Sequence, residues 1–107
     1  MSKHILTDGD IDEMTKRIVA ASHPIKVILF GSRARGTAQP SSDVDLLVVQ
    51  PDPVEQRQAS IRLRRLLRDF QVPIDIVVVG EAFADRYRVI PGSVLYPACK
   101  EGRTLYG

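Results

Sequence analysis

The N-terminal part of the chain carries apolar residues at every third or fourth position. These residues are Ile11, Met14, Ile18 and Ala21. Their spacing predicts an amphipathic helix with one apolar face. Thr7 precedes this helix as a capping residue. Pro24 ends it, because the residue before a proline disfavours helical backbone.

Three short apolar runs further along the chain predict β-strands, at residues 25–30, 43–50 and 74–79. An apolar stripe after the second run predicts a helix from the prolines at 51–53 to about residue 70. Shorter helices are expected at 32–35, 81–89 and 93–101, with a small terminal strand at 103–106. Strands that alternate with helices indicate an α/β or α+β fold. We expect helices to flank a small mixed sheet of three to four strands.

Composition and charge narrow the class of protein. The chain has 107 residues, 44% hydrophobic and 26% charged, with no repeat or linker, so we expect a single domain over residues 1–107. The net charge of +2 is too small to argue for nucleic-acid binding. No apolar run exceeds four residues, so neither a membrane span nor a signal peptide is expected, and the cytoplasm is the default location.

Three aspartates are the candidate chemical groups. Asp43 and Asp45 point to the same side of their strand, because side chains alternate along a strand. Asp75 interrupts an otherwise apolar run, and it meets the other two if its strand lies beside theirs. Carboxylates this close favour a cation or a proton between them, and oxygen ligands suit Mg²⁺. The simpler alternatives are solvated acids at a strand entry and, for Asp75, an ion pair with an arginine.

A glycine and a serine complement the acids at the end of the first strand. A glycine that ends a strand and opens a helix turns backbone N–H groups toward an anion, and it lets a phosphate approach closely. The hydroxyl of Ser32 adds a donor after Gly31, and Arg35 adds a planar guanidinium that can bridge phosphate oxygens. A solvated basic turn is the alternative interpretation of Arg33 and Arg35.

Together these residues form a recognisable pattern. Gly31-Ser32, then ten residues, then Asp43-Val44-Asp45 resembles the signature of the DNA polymerase β-like nucleotidyltransferase superfamily. The chain is most similar to the minimal nucleotidyltransferases of prokaryotes, and Asp75 matches their third carboxylate. Residues 100–106 also resemble the usual end of these short chains, so the resemblance spans nearly the whole sequence.

The resemblance implies a polymerase β-like fold and a role for each residue. Gly31 and Ser32 hold the triphosphate of an NTP, and Arg35 assists at the phosphates. Asp43 and Asp45 ligate two Mg²⁺ ions. Asp75 completes the site of the catalytic ion and helps to activate the acceptor hydroxyl. The implied reaction transfers an NMP, in the first instance AMP from ATP, and releases pyrophosphate.

The resemblance also implies a partner. Larger members of the superfamily carry an extra helical domain for the acceptor, and these 107 residues leave no room for one. Minimal nucleotidyltransferases are commonly paired with HEPN ribonuclease toxins, and as antitoxins they transfer AMP to a toxin tyrosine. Two other functions stay open: a non-catalytic nucleotide-binding module that neutralises a toxin by contact, and a transferase acting on a small molecule such as an antibiotic.

The predicted helix at 51–70 is rich in arginine. Its arginines are Arg57, Arg62, Arg64, Arg65 and Arg68. A solvated face is the simplest interpretation of this cluster. A partner surface is the second, and a nucleic-acid surface is the third.

Overall fold

The computed structural model describes residues 6–37, 43–93 and 95–107. The sequence predicts a polar loop at residues 37–42, and apart from Thr37 this loop lies outside the described residues. The helices are α1 (Asp8–Ser22), α2 (Ser32–Arg35), α3 (Gln56–Leu66), α4 (Glu81–Tyr87) and α5 (Leu95–Glu101). The strands are β1 (Lys26–Phe30), β2 (Val44–Gln50), β3 (Ile74–Gly80) and β4 (Arg103–Tyr106).

The four strands form one mixed sheet in the order β3-β2-β1-β4. Strand β1 is antiparallel to both β2 and β4, whereas β2 and β3 are parallel. A parallel pair needs a crossover connection, and α3 supplies it between β2 and β3. The prediction of a mixed α+β sheet flanked by helices is therefore confirmed, with four strands.

Helices cover both faces of the sheet because the strands alternate between two apolar surfaces. One core packs α1 and α3 on the sheet, with Met14, Ile18 and Leu63 fully buried beside strand residues such as Leu46. A second, smaller core on the opposite face packs α4 and α5, with Leu95 and Ala98 buried. The side chains of Asp45 and Asp75 lie on the same face of the sheet as this second core, beyond its apolar residues.

Helix α1 begins where the sequence predicts. The Thr7 side chain accepts from the Asp10 N–H, and the Asp10 carboxylate accepts from the Thr7 N–H, which completes a capping box. At the other end, His23 takes a left-handed conformation, and its N–H donates to the Val19 carbonyl. Both ends of α1 are thus closed by local hydrogen bonds.

Four predicted helix boundaries differ from the structure. Helix α3 spans Gln56–Leu66 rather than 51–70, because Asp52 accepts a hydrogen bond from the Ala82 N–H at 2.8 Å and holds the preceding segment against the start of α4. After Leu66 the chain forms turns, although Phe70 still packs on the core. Helix α4 ends at Tyr87 instead of residue 89, and α5 begins at Leu95 instead of residue 93. No helix among the described residues is long and apolar enough to cross a membrane.

Candidate active site

Two carboxylates meet where β2 and β3 begin. Asp45 and Asp75 are direct partners in the parallel ladder, so their side chains leave the sheet on the same face. The Val44 N–H donates to the Pro73 carbonyl at 2.9 Å, and this hydrogen bond between β2 and the residue before β3 lies next to the Asp45–Asp75 pair. Asp43 directly precedes β2, and it is exposed. The adjacency of the two strands, which the sequence left as a condition, is therefore present.

The electrostatic environment of Asp45 reflects this crowding. Partial burial raises the pKa of Asp45, and the negative charges of Asp75 and Asp43 raise it further. Asp75 also lies within hydrogen-bonding reach of the Asp45 carboxyl group. The positive charge of Arg35 lowers the same pKa, because the guanidinium is close enough to interact electrostatically with the Asp45 carboxylate. The site thus favours a proton or a cation on Asp45.

Asp75 itself is exposed, although the apolar run around it is typical of a buried strand. Strand β3 lies at the edge of the sheet, and Asp75 is the second residue of that strand. Water therefore reaches the carboxylate from the open side. Asp45, on the inner strand β2, is half-buried by comparison.

Gly31 links the acids to the loop after β1. Phe30 pairs with Asp45 across the antiparallel ladder, which places Gly31 beside the Asp45 carboxylate. Gly31 has φ 75° and ψ −159°, a conformation almost restricted to glycine. A Cβ atom on Gly31 would overlap the Oδ2 atom of Asp45. The missing side chain therefore makes room for the Asp45 carboxyl group.

Helix α2 is a single turn that follows Gly31. The N–H groups of Ala34 and Arg35 donate to the Gly31 carbonyl at 3.1 and 3.2 Å, and Gly36 ends the turn with φ 76°. Ser32 is half-buried at the start of this turn, whereas Arg35 is exposed at its end. All six predicted site residues thus belong to three neighbouring chain segments: the β1–α2 junction, the start of β2 and the start of β3.

The donor set fits a hard divalent cation in its chemistry. Asp43, Asp45 and Asp75 supply carboxylate oxygens, the ligands that Mg²⁺ prefers, and a cation would relieve the repulsion that raises the pKa of Asp45. As the side chains stand, no group of three acids, histidines or cysteines among the described residues is close enough to hold a metal ion. Substrate phosphates commonly supply the remaining ligands of Mg²⁺ in such sites.

Two apolar residues beside the acids escaped the sequence analysis. Phe30 is the direct partner of Asp45 on the neighbouring strand, and Val77 lies two residues after Asp75 on β3, so both share the sheet face of the acids. Both are half-buried, and both pack against the second core. They form an apolar floor next to the carboxylates. Their signal in the sequence is only that of ordinary strand residues.

Comparison with known families places the chain. Residues 11–90 match the model of the nucleotidyltransferase domain family, and this match covers more than half of the sequence. The chain therefore belongs to the nucleotidyltransferase domain family. No curated protein matches it in sequence.

Three solved structures share the fold. A protein from Sulfolobus solfataricus described as a nucleotidyltransferase is 21% identical, with a TM-score of 0.59, over 90% of this chain and 76% of that one. A toxin–antitoxin structure with AMP-PNP is also 21% identical, with a TM-score of 0.63, over 90% of this chain and 73% of that one. A mutant of the toxin–antitoxin pair MntA-HpeT is 19% identical, with a TM-score of 0.61, over 95% and 74%. At these identities the likeness shows a common fold.

Proposed function

We propose that this chain is a Mg²⁺-dependent nucleotidyltransferase that transfers AMP from ATP to a hydroxyl group of a partner protein. The observation that supports this most directly is the pairing of Asp45 with Asp75 beside Gly31. Carboxylates on two adjacent strands supply ligands for cations, and the missing side chain of Gly31 lets the Asp45 carboxyl group lie beside the β1–α2 turn, where the phosphates would bind. Membership of the nucleotidyltransferase domain family supports the same reaction class.

Each residue has a role in the proposed reaction. Asp43 and Asp45 would hold two Mg²⁺ ions, and Asp75 would complete the site of one of them. When bound, the two ions neutralise charge on the attacking and the leaving oxygen of an in-line displacement. Gly31 and Ser32 bind the β- and γ-phosphates, and Arg35 neutralises part of their charge.

The bond changes of the transfer are simple. The acceptor hydroxyl oxygen attacks the α-phosphorus of ATP, and the bond from this phosphorus to the bridging oxygen breaks. Pyrophosphate leaves, and the acceptor retains AMP. Asp75 is exposed on the open edge of the sheet, so it is the carboxylate best placed to receive the hydroxyl proton of a large acceptor.

The proposed acceptor is a tyrosine of a HEPN-type ribonuclease toxin, so that the chain acts as the antitoxin. Two of the structures that share its fold belong to toxin–antitoxin pairs, and one of them contains AMP-PNP. A nucleotide-bearing tyrosine in a ribonuclease site adds bulk and negative charge, which opposes the binding of RNA phosphates. Transfer to the toxin would therefore neutralise it.

A mass measurement tests the reaction. The purified chain, the protein encoded by the adjacent gene, Mg²⁺ and each NTP are mixed in turn, and the intact masses are recorded. We expect the neighbouring protein to gain the mass of AMP only with ATP. Absence of a mass change with every NTP would refute the proposal, and transfer to a small molecule without the protein would redirect it to an antibiotic-type substrate.

A pair of variants tests the site. Asp75→Asn should lower the rate of transfer at least about a hundredfold, since a metal-binding carboxylate supports several kcal/mol of transition-state stabilisation. Asp12→Asn is the matched control, because Asp12 is an exposed aspartate on α1 and should leave the rate unchanged. Neutralisation of the toxin that survives Asp75→Asn without transfer would instead indicate a non-catalytic binding module.

A further inference from the structure

The outward face of α3 is a continuous basic surface. The face opposite the buried Leu63 and Leu67 carries five exposed arginines around one apolar side chain. We call this surface the arginine face, and its members are Arg57, Ile61, Arg62, Arg64 and Arg65 on α3, with Arg68 in the turn that follows. The spacing of three and four residues keeps the helical members on the solvent side of α3.

The charges of the arginine face have no partner in the part of the chain that the structure describes. All thirteen acidic residues lie outside residues 56–68, so the helix contains no carboxylate of its own. The nearest following acid is Asp69, and Arg17 of α1 binds it at 2.6 Å and 3.1 Å. None of the five arginines forms an ion pair with a described residue.

This arrangement opposes the local stability of α3. Arg57 lies in the first turn, where the helix dipole favours an acid over a cation. Arg65 lies three residues from both Arg62 and Arg68, and like charges at this spacing repel. A helix selected for stability alone would carry acids at some of these positions. The residues at these positions are therefore not those that best stabilise a helix, and such departures are common at functional surfaces.

Ile61 gives the arginine face an apolar centre. Its side chain is 40% exposed, and it lines a shallow depression with Gln58, Arg62 and Arg65. An apolar centre within a charged rim is typical of protein interfaces, and arginine is among the residues enriched there. A second groove runs from Arg64 and Arg68 to Ile74, the residue before Asp75. The basic surface thus extends to the edge strand β3 on the α3 side of the sheet, whereas Asp75 leaves that strand on the opposite face.

We propose that the arginine face docks an acidic surface of the protein that carries the acceptor hydroxyl. This inference rests on the proposed function, and it adds the chemistry of the partner: aspartates and glutamates around a small apolar contact for Ile61. Charge complementarity selects the partner, and the groove toward Ile74 directs it to the edge strand that holds Asp75.

Several features favour protein over nucleic acid as the occupant. Single-stranded nucleic acids commonly stack their bases on aromatic residues, and residues 56–68 contain none. The one aromatic residue of the adjoining groove, Phe70, packs on the core, and the Arg17 guanidinium covers its ring. The net charge is only +2, so the chain as a whole lacks the large positive surplus that favours non-specific binding of nucleic acid. Nucleic-acid phosphates would also leave the exposed Ile61 without a matching apolar contact.

Charge reversal on α3 tests the proposal without weakening the helix. In the double variant Arg57→Glu/Arg62→Glu, one new acid enters the first turn and the other lies three residues before Arg65, so both suit the helix. The matched control is Lys100→Glu/Arg103→Glu, which makes the same change of charge at the opposite edge of the sheet. Thermal melting of both variants checks that they fold.

Binding is measured with the protein encoded by the adjacent gene, at about 0.05 and 0.5 M salt. A single-stranded RNA of about twenty nucleotides is measured in parallel. We expect the α3 variant to bind the protein at least about tenfold more weakly at low salt, with a reduced salt dependence, while the control binds like the wild type.

Other outcomes overturn the proposal. Equal binding by both variants would exclude α3 as the docking surface, and so would an absence of binding by the wild type. Tight binding of the RNA that only the α3 variant loses, with protein binding unchanged, would make the arginine face a nucleic-acid surface. Protein binding that depends on α3 without any nucleotide transfer would uphold the docking surface and refute the proposed function.

Discussion

Replacement of Gly31 by alanine should damage both the fold and the site. Gly31 has φ 75° and ψ −159°, where an alanine costs about 1–3 kcal/mol of strain. The new methyl group also overlaps the Oδ2 atom of Asp45, so the carboxyl group must rotate away. This rotation separates Asp45 from Asp75, its partner on β3. One methyl group therefore perturbs the backbone and the acid site together.

Gly36→Ala is the matched control for this substitution. Gly36 has a nearly identical φ of 76°, at the other end of the same helical turn. A Cβ atom there meets nothing within 4 Å, so the substitution costs about 1 kcal/mol of backbone strain and leaves the acids in place. The two variants differ in whether the new methyl group contacts the site.

Thermal melting with and without Mg²⁺ and ATP separates the effect of each substitution on the fold from its effect on the site. In a domain of this size each kcal/mol changes the Tm by roughly 4–8 °C, so both variants should melt at least about 4 °C below the wild type without ligand. A ligand at a hundred times its Kd adds about 2.7 kcal/mol of stability. We expect Gly36→Ala to retain this increase and Gly31→Ala to lose most of it. An equal increase in the two variants would contradict the role given to Gly31.

Two further substitutions test the electrostatics and the capping of the fold. Because the pKa of Asp45 is raised, its contribution to stability is present below the ordinary value of 3.8 and is lost as pH rises through the raised value. Without metal, Asp45→Asn should therefore stabilise the protein near pH 7 by about 0.5–1 kcal/mol after screening by water, and this gain should vanish below about pH 4. Melting curves at several pH values, with EDTA, measure the difference, and a gain that grows toward acid pH would contradict the assignment. Thr7→Ala removes the capping box of α1 and should cost about 1 kcal/mol, with a lower Tm and an unchanged transfer rate. Loss of transfer at a temperature where this variant is fully folded would contradict the expectation that the capping box affects stability and not transfer.

The sequence predicted the elements well because their periods are clear. The helical spacing of Met14 and Ile18 predicted α1, an apolar stripe predicted α3, and the apolar runs predicted β1, β2 and β3, with shifts at the ends. The end of α3 was misplaced because Phe70 continues the apolar stripe after the helix has stopped. A packed turn and a last helical turn look alike in a pattern of apolar positions.

The candidate site was only partly predictable. Residues two apart share a face in any strand, so the sequence alone predicts that Asp43 and Asp45 point the same way. The pairing of Asp45 with Asp75 depends on the order of the strands in the sheet, which a single sequence does not specify. The exposure of Asp75 follows from the edge position of β3 and had no local signal. The tight approach of Gly31 to Asp45 likewise depends on the register of β1 against β2.

Because α3 connects β2 to β3, we expect the two halves of the candidate site to form at different stages of folding. Gly31 and Asp45 come together within one antiparallel pair, whose two strands are close in sequence. Asp75 arrives only after the chain has passed through α3 and closed a longer loop to form the parallel pair. Contacts of greater sequence separation form more slowly as a rule. The half that contains Gly31 and Asp45 should therefore be the earlier and more local unit, and Asp75 should join it last.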